Sequence, residues 1–477
     1  MRAMPRQRSK KYLYSTIVEY IESVMLSKGS EGERLPSIRD ICQIFEVSPP
    51  TVVRAYSELE RKGKVVARPK SGYYTANDRA SVRVDAQESP LNMVYLNSRA
   101  AGVIPLSIDF PSKFSPLPVR LNRYIRRSTD SSPSELTRSS LYGEPKLRAA
   151  IAWFYSTKGM NSWAYDDVYI TNGFQVALIS VLKSVARGDH VLVESPCSWL
   201  ILKVVEVLGF RPVELDLNCC SGDVLLDAEF AIREHGITAA IFSSNINPVT
   251  GSLPSSDILT GIKKIMREGK VFAIEVNTYG DVMFDPSASC LRQSYDKEYV
   301  VSVGSFSKTI GPGINVGYVI SSSHKEKITE VLQFSPNVVP AYMQNALAKM
   351  FVDGHYRRDL EELCNRLKYH MRIMEGMLEG MRRDELIDYR IPAGGAVFWL
   401  RLKRGVRAMD VYRLLIDQGI AVAPGNIFSA TGNFDDYLRI SYATDWSLDI
   451  PGALAALASG ILYLSKRRVD GGMPFLQ

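Results

Sequence analysis

Apolar positions recur with a helical period at the start of the chain and with a strand–helix alternation later on. Over residues 12–25, Leu13, Ile17, Tyr20, Ile21 and Val24 form one stripe and predict a helix. After a polar loop, Ser37 is a good N-cap, and Ile38, Ile41, Ile44 and Phe45 supply the buried face of a second helix ending near Glu46-Val47. Ser48 caps a third helix, whose first turn holds Pro49 and Pro50, where missing N–H groups cost least. There Val52, Val53, Tyr56 and Leu59 are expected inward, Thr51, Arg54 and Ser57 outward, with Gly63 closing the helix. Residues 65–74 then read as a β-ribbon turning at Arg68-Pro69-Lys70-Ser71-Gly72. From about Thr75 to Val103 the periodicity fades, which predicts a linker. From Ile104 onward buried strands (168–171, 191–193, 239–242, 271–274, 300–303) alternate with helices such as 175–186 and 257–267. That pattern predicts a layered α/β domain with a mainly parallel sheet. After about Ala341, a long helical stretch and the segment 394–400 predict a smaller α+β lobe.

A length of 477 residues calls for two or three domains. The formal charge is +7, but residues 1–80 hold 15 Lys/Arg against 9 Asp/Glu, a net of +6. The excess therefore lies in the first 80 residues, partly in the run Arg2 to Lys11 and partly among the helices and ribbon from Arg34 to Lys70, an electrostatic footprint suited to a phosphate backbone. The five histidines (190, 235, 324, 355, 370) show no metal spacing, so no metal is expected. The six cysteines (42, 197, 219, 220, 290, 364) form no CxxC pair and read as free thiols in a reducing cytoplasm. The basic start lacks a following apolar segment, and no apolar run approaches the roughly 18 residues of a membrane span, so no membrane role is expected.

Two short capped helices at this spacing, the second with outward polar groups, make a helix-turn-helix, and the basic ribbon makes its wing. The residues Leu35-Pro36-Ser37-Ile38-Arg39, Val47-Ser48, Thr51-Val52, Arg54-Ala55-Tyr56, Leu59-Glu60, Gly63 and Ser71-Gly72-Tyr73 resemble the GntR-family winged helix. The resemblance implies a double-stranded DNA operator contacted through Arg39, Ser48, Thr51, Arg54, Arg68, Lys70, Ser71 and Gly72. Pro49 departs from the family, which has a basic or polar residue there.

In the larger part, Thr171-Asn172-Gly173-Phe174-Gln175 joins a strand to a helix. Gly173 permits a tight turn, and the free N–H groups of the helix start, at Gly173, Phe174 and Gln175, can receive a phosphate. Lys308, in Ser305-Phe306-Ser307-Lys308, follows a buried strand beside hydroxyls, where desolvation lowers a lysine pKa towards nucleophilic service. With Asn247-Pro248-Val249-Thr250-Gly251, Tyr279, Arg439, Tyr142-Gly143-Glu144-Pro145, Gly188-Asp189, Glu194-Ser195-Pro196 and Pro424-Gly425, these segments resemble the class I/II, fold-type I aminotransferases over residues 105–470. Fusion to a GntR-type helix resembles the MocR subfamily of regulators. The resemblance implies pyridoxal 5′-phosphate (PLP) on Lys308 as a Schiff base, Asn247 and Tyr279 at its phenolic oxygen, Ser305 and Ser307 near its phosphate and Arg439 on a substrate carboxylate. It also implies a homodimer, with Tyr142 reaching the partner's site.

Three positions depart from that pattern. Val276 stands where the family has the aspartate that keeps the pyridine nitrogen protonated, and Glu275 and Asn277 should face the other way along the strand. Asn315 replaces an arginine that grips the phosphate, and Ser198-Trp199 occupy the region of a ring-stacking aromatic. The expected organisation is a winged helix over 1–76, a linker over 77–104 and the aminotransferase-like domain over 105–470. The expected function is a transcriptional regulator that senses PLP or an amino-compound effector with impaired turnover. A working aminotransferase with a DNA-binding module, and a cofactor-free regulator, are the alternatives.

Overall fold

Three helices open the described part of the chain: α1 (Lys10–Lys28), α2 (Ile38–Phe45) and α3 (Pro49–Arg61). Ser37 caps α2 reciprocally: its hydroxyl accepts the Asp40 N–H at 3.2 Å, and the Asp40 carboxylate accepts the Ser37 N–H at 3.0 Å. Ile17, Ile21, Ile41, Val52, Tyr56 and Leu59 bury together. Two residues expected in this core point outward instead: Ile44 is 55% and Val53 39% exposed. An eight-residue helix has room for one fully buried position, Ile41, with Ile38 and Phe45 flanking it. In α3 the inward arc is filled by Val52, Ala55, Tyr56 and Leu59. Strands β1 (Val65–Arg68) and β2 (Gly72–Thr75) pair antiparallel, with Arg68 opposite Gly72. Tyr73 stacks on Tyr56 at 4.0 Å, and Leu35 N–H donates to Tyr73 O at 2.9 Å, which fastens the ribbon to the helices.

The computed structural model describes residues 10–28, 34–61, 64–68, 71–75, 89–111, 114–131, 140–156, 161–217, 224–285, 295–334, 339–403 and 405–469. Gly63, Lys70 and the Arg68 side chain lie outside the described set. Contacts divide the chain into Met1–Glu88 with Arg99–Val103, and Ser89–Ser98 with Ile104–Gln477. Within the stretch expected as linker, Pro90–Asn97 is a helix, capped by Ser89 with proline in its first turn, and its Val94 joins the core of the larger unit.

After the short entering strand β3 (Ile104–Pro105), that unit is built on seven strands: β4 (Val168–Asn172), β5 (His190–Glu194), β6 (Arg211–Leu215), β7 (Ala239–Ser243), β8 (Phe272–Asn277), β9 (Val300–Ser305) and β10 (Val316–Ile320). Their order is β4-β10-β9-β8-β7-β5-β6, parallel except for β10. Alternate residues feed two apolar clusters: Ile274 and Val276 of β8 join one, Ala273 the other. The smaller lobe carries β11 (Ile387–Tyr389), β12 (Val397–Leu402), β13 (Ile420–Ala421), β14 (Ala423–Pro424) and β15 (Tyr437–Ser441). Four of them form an antiparallel sheet in the order β11-β12-β15-β14. The fifth, β13, pairs parallel with β3 and ties the entering segment to this lobe.

Helices Leu117–Ser131 and His355–Arg383 are joined by a two-pronged pair: Arg120 donates to Asp359 at 2.7 and 2.9 Å, and Asp359 is fully buried. Removing the cation leaves that buried carboxylate to the more distant and exposed Arg358, whose Nε is 3.7 Å away, so Arg120→Met should lower unfolding free energy by about 3 kcal/mol. Urea titration checks this, and an unchanged midpoint rules it out.

Candidate functional site

The strand ends place the candidate residues. Lys308 lies in the turn after β9, and Tyr279 lies just past the end of β8. The Lys308 Nζ sits 5.4 Å from the Tyr279 ring centre. Tyr279 is 2% exposed, and its hydroxyl has no hydrogen-bond partner among the described residues. Burial pushes this phenol well above its ordinary pKa, with the nearby Asp109 charge adding to the shift. From the small lobe, β15 brings in Arg439, which is 7% exposed and has its guanidinium 4.6 Å from the centre of the Phe428 ring. Sequence reasoning missed the residue that joins these two cations. Asp109 Oδ1 accepts from Lys308 Nζ at 2.5 Å, and Asp109 Oδ2 accepts from Arg439 Nη1 at 3.3 Å. Its signal was a lone acidic residue between Ile108 and Phe110, just after a strand.

The sheet brings the other expected residues to neighbouring positions. Gly317 of β10 pairs with Ser305 on one side and Thr171 on the other, so the hydroxyl pair and the helix start at Gly173 flank one strand. The Ser305 and Ser307 hydroxyls bond each other at 2.7 Å. Gly173 has φ +81°, and a Cβ there would meet Asn315 Oδ1 at 2.1 Å. Asn315, itself left-handed at φ 42°, donates to Asn172 Oδ1 at 2.7 Å. A neutral amide thus covers the N-terminus of helix Gly173–Val185. Phe174 is buried in the apolar cluster, and Gln175 is exposed.

Other residues have internal employment. The side-chain NH2 of Asn247 donates to Glu194 and to the Pro196 carbonyl, both at 2.9 Å. Its oxygen accepts the N–H groups of Val249 and Thr250 at 2.8 and 3.1 Å, so the amide is saturated by its own turn and by the segment at Glu194 and Pro196. Val276 is 3% exposed in the same cluster as Phe174. Glu275 instead accepts from the Ser302 hydroxyl at 3.1 Å, and Asn277 donates to Tyr318 at 2.9 Å. Trp199 meets Tyr95 edge-on at 5.9 Å, Ser198 caps the helix Trp199–Val207 without a side-chain bond, and Tyr142 packs against Tyr169. Among the described residues, no cluster of His, Cys, Asp or Glu could hold a metal, and no helix is long and apolar enough to cross a membrane.

Tested against PLP, the arrangement fits in part. The Lys308 amine, the unpartnered Tyr279 hydroxyl, the Ser305–Ser307 pair and the helix start at Gly173 suit an aldehyde, a phenol and a phosphate. Val276, buried among apolar side chains, offers neither charge nor hydrogen bond for a ring nitrogen, and Asn315 brings no charge for a phosphate.

On the DNA-facing candidates, Arg39, Ser48 and Arg54 are exposed, and Ser48 and Thr51 hydroxyls lie 3.1 Å apart. Ser71 bonds Tyr74 through their hydroxyls at 2.6 Å, and Gly72 turns the wing at φ +109°.

Comparison with known proteins places this geometry. Residues 103–450 match the family "Aminotransferase class I and II", and residues 13–74 match "Bacterial regulatory proteins, gntR family". The HTH-type transcriptional regulator YdcR of Escherichia coli is 27% identical over 454 residues, covering 91% of this chain and 95% of its own. The HTH-type transcriptional regulator NorG of Staphylococcus aureus is 24% identical over 445 residues, covering 88% and 98%. In fold, the chain resembles the α-aminoadipate aminotransferase LysN of Thermus thermophilus, solved with N-(5′-phosphopyridoxyl)-L-leucine. The TM-score is 0.70 and the identity 21%, over 80% of this chain and 96% of that one.

Burial opposes the charge on Asp109, but Lys308 and Arg439 outweigh it and hold the carboxyl below its ordinary value of 3.8. A depressed folded pKa adds stability that is complete above the unfolded value and lost as pH falls through the folded one. The stability gap between the wild type and Asp109→Asn should therefore hold above about pH 5 and close on further acidification. Denaturant titrations across that range check the sign, and a gap that widens in acid contradicts it.

Proposed function

The chain belongs to the aminotransferase class I and II family and joins that domain to a GntR-type helix-turn-helix, the MocR architecture of transcriptional regulators, and on that premise we propose that it is a DNA-binding regulator whose aminotransferase-like domain senses an amino compound through Lys308 and PLP with little turnover. The observation that carries this reading is an asymmetry in the site. The groups that would bind an aldehyde and a phenol, Lys308 and Tyr279, stand together. The position that would sustain catalysis is filled by Val276, packed among apolar side chains.

When bound, PLP supplies an aldehyde that condenses with amines and a ring that takes up electrons once its nitrogen is protonated. Lys308 provides the amine, Tyr279 a hydroxyl for the phenolic oxygen, and the Gly173 helix start with Ser305 and Ser307 a phosphate seat. Val276 can neither hold a proton at the ring nitrogen nor accept a hydrogen bond from it. The Glu275 carboxylate is on the opposite face with Ser302 and does not substitute for it. Loss of a charge-assisted phosphate contact at Asn315 lowers affinity by roughly 1.5–3 kcal/mol, about one to two decades. The cofactor-free alternative has one observation in its favour: Lys308 already has a partner in Asp109.

In the first unit, α3 serves as the recognition helix, with Thr51 and Arg54 toward base edges and the wing at Ser71-Gly72 toward phosphate. A cytoplasmic homodimer matches the two half-sites of a palindromic operator.

Two measurements test the reading. Arg54→Ala should weaken operator binding by about 10- to 100-fold at fixed salt, as loss of a base contact does, without changing the larger unit's unfolding. Equal affinity in a salt-matched titration removes α3 from the interface. Adding PLP should produce a visible absorption band absent from Lys308→Ala, with no detectable transamination of amino acids. No band at saturating PLP selects the cofactor-free alternative, and brisk transamination selects the working enzyme.

A further inference from the structure

Both terminal nitrogens of Arg439 are already engaged by the chain itself. Nη1 reaches Asp109 Oδ2 at 3.3 Å, and Nη2 donates to the Ser107 carbonyl at 3.0 Å. One face of the guanidinium lies over Phe428, and Nε is buried without a partner among the described residues. A carboxylate binds arginine best through two parallel N–H bonds from adjacent nitrogens. On each such edge at least one nitrogen already donates to Asp109 or Ser107, so a ligand carboxylate would have to share Arg439 with the chain's own acceptors. The segment that does this is anchored, because Ser441 N–H donates to Leu106 O at 2.7 Å and β3 pairs with β13.

We infer that Asp109 supplies, from within the chain, the carboxylate that Arg439 and Lys308 would otherwise take from a ligand, so that the site selects primary amines with no carboxylate beside the amino group. The inference rests on the reading of Lys308 as the ligand-contacting amine. A ligand's ammonium finds Asp109 Oδ1, the oxygen now facing Lys308. A ligand's carboxylate must either crowd Asp109, a like charge, or expel it from its two cations. If Lys308 gives up its proton, Asp109 and Arg439 neutralise each other and leave no net charge for an incoming anion. Asp109 is thus a specificity-determining residue, and its removal should turn the preference around.

The test uses the full chain in chloride-free buffer. Asp109→Ala leaves a carboxylate-sized gap between two cations. It should melt several degrees below the wild type and recover with millimolar acetate, while the wild type stays indifferent. In the PLP-loaded protein, 3-methylbutylamine should shift the absorption of the wild type at a concentration about tenfold or more below that needed for L-leucine, which differs from it by one carboxylate. Asp109→Asn, which keeps the volume and loses the charge, should equalise or invert that order even if the alanine variant fails to fold. Equal responses of the wild type to both compounds overturn the inference, as does an Asp109→Ala protein that ignores acetate. Failure of the Lys308 reading has a different signature. No Lys308-dependent band forms with PLP, and the acetate titration then decides alone whether Asp109 fills an anion seat.

Discussion

Because both faces of the seven-stranded sheet are covered, a side chain on its central strands must be apolar or must bring its own partner. β8 shows both outcomes on alternate residues. Ile274 and Val276 enter an apolar cluster, while Glu275 and Asn277 face the other side with Ser302 and Tyr318. The consequence for chemistry follows from that alternation. On the proposed reading of the site, Glu275 could not take over at Val276, because moving it one position would reverse the facing of every residue on the strand.

Polar groups at the strand ends obey the same accounting. Asn247 saturates itself on Glu194, Pro196, Val249 and Thr250, and Glu194 also accepts the Ser243 N–H at 2.8 Å. Burial pushes the Glu194 carboxyl up, and hydrogen bonds from Ser243 and Asn247 only partly oppose this. Cys197, buried beside Glu194 and Glu214, has its thiol pushed well up by burial first and by those carboxylates second. It is therefore a packing residue and not a reactive one. Tyr279, like Ser107 and Thr444, keeps a buried hydroxyl without a partner among the described residues.

Periodicity made the layered α/β plan and the three opening helices legible. The five anticipated strands were apolar runs broken only by Thr171 and Ser302, the mark of a buried parallel sheet. β6 and β10 escaped for local reasons. β6 is an edge strand broken by Pro212 and Glu214, and β10 carries Gly317, whose missing side chain lets the Gly173 backbone approach closely. The helix Pro90–Asn97 was hidden by polar surroundings, although Ser89-Pro90 was a readable start. Ile44 and Val53 were assigned inward by residue type, and only the arc of each short helix could say otherwise. At the site, Lys308, Tyr279 and Arg439 were found through motifs. Asp109 belongs to no motif, and its importance comes from a contact 199 residues away in sequence.

Asn315 also bears on how this chain could change over evolutionary time. Its left-handed backbone is one that asparagine tolerates and long side chains resist, at a cost of roughly 1–2 kcal/mol. Its amide fills the space above Gly173 and holds Asn172. Reinstating a cation there would meet strain and crowding together, so a single codon change would be penalised before it could be rewarded. The turn thus resists a long cationic side chain on two independent counts, its backbone and the space above Gly173.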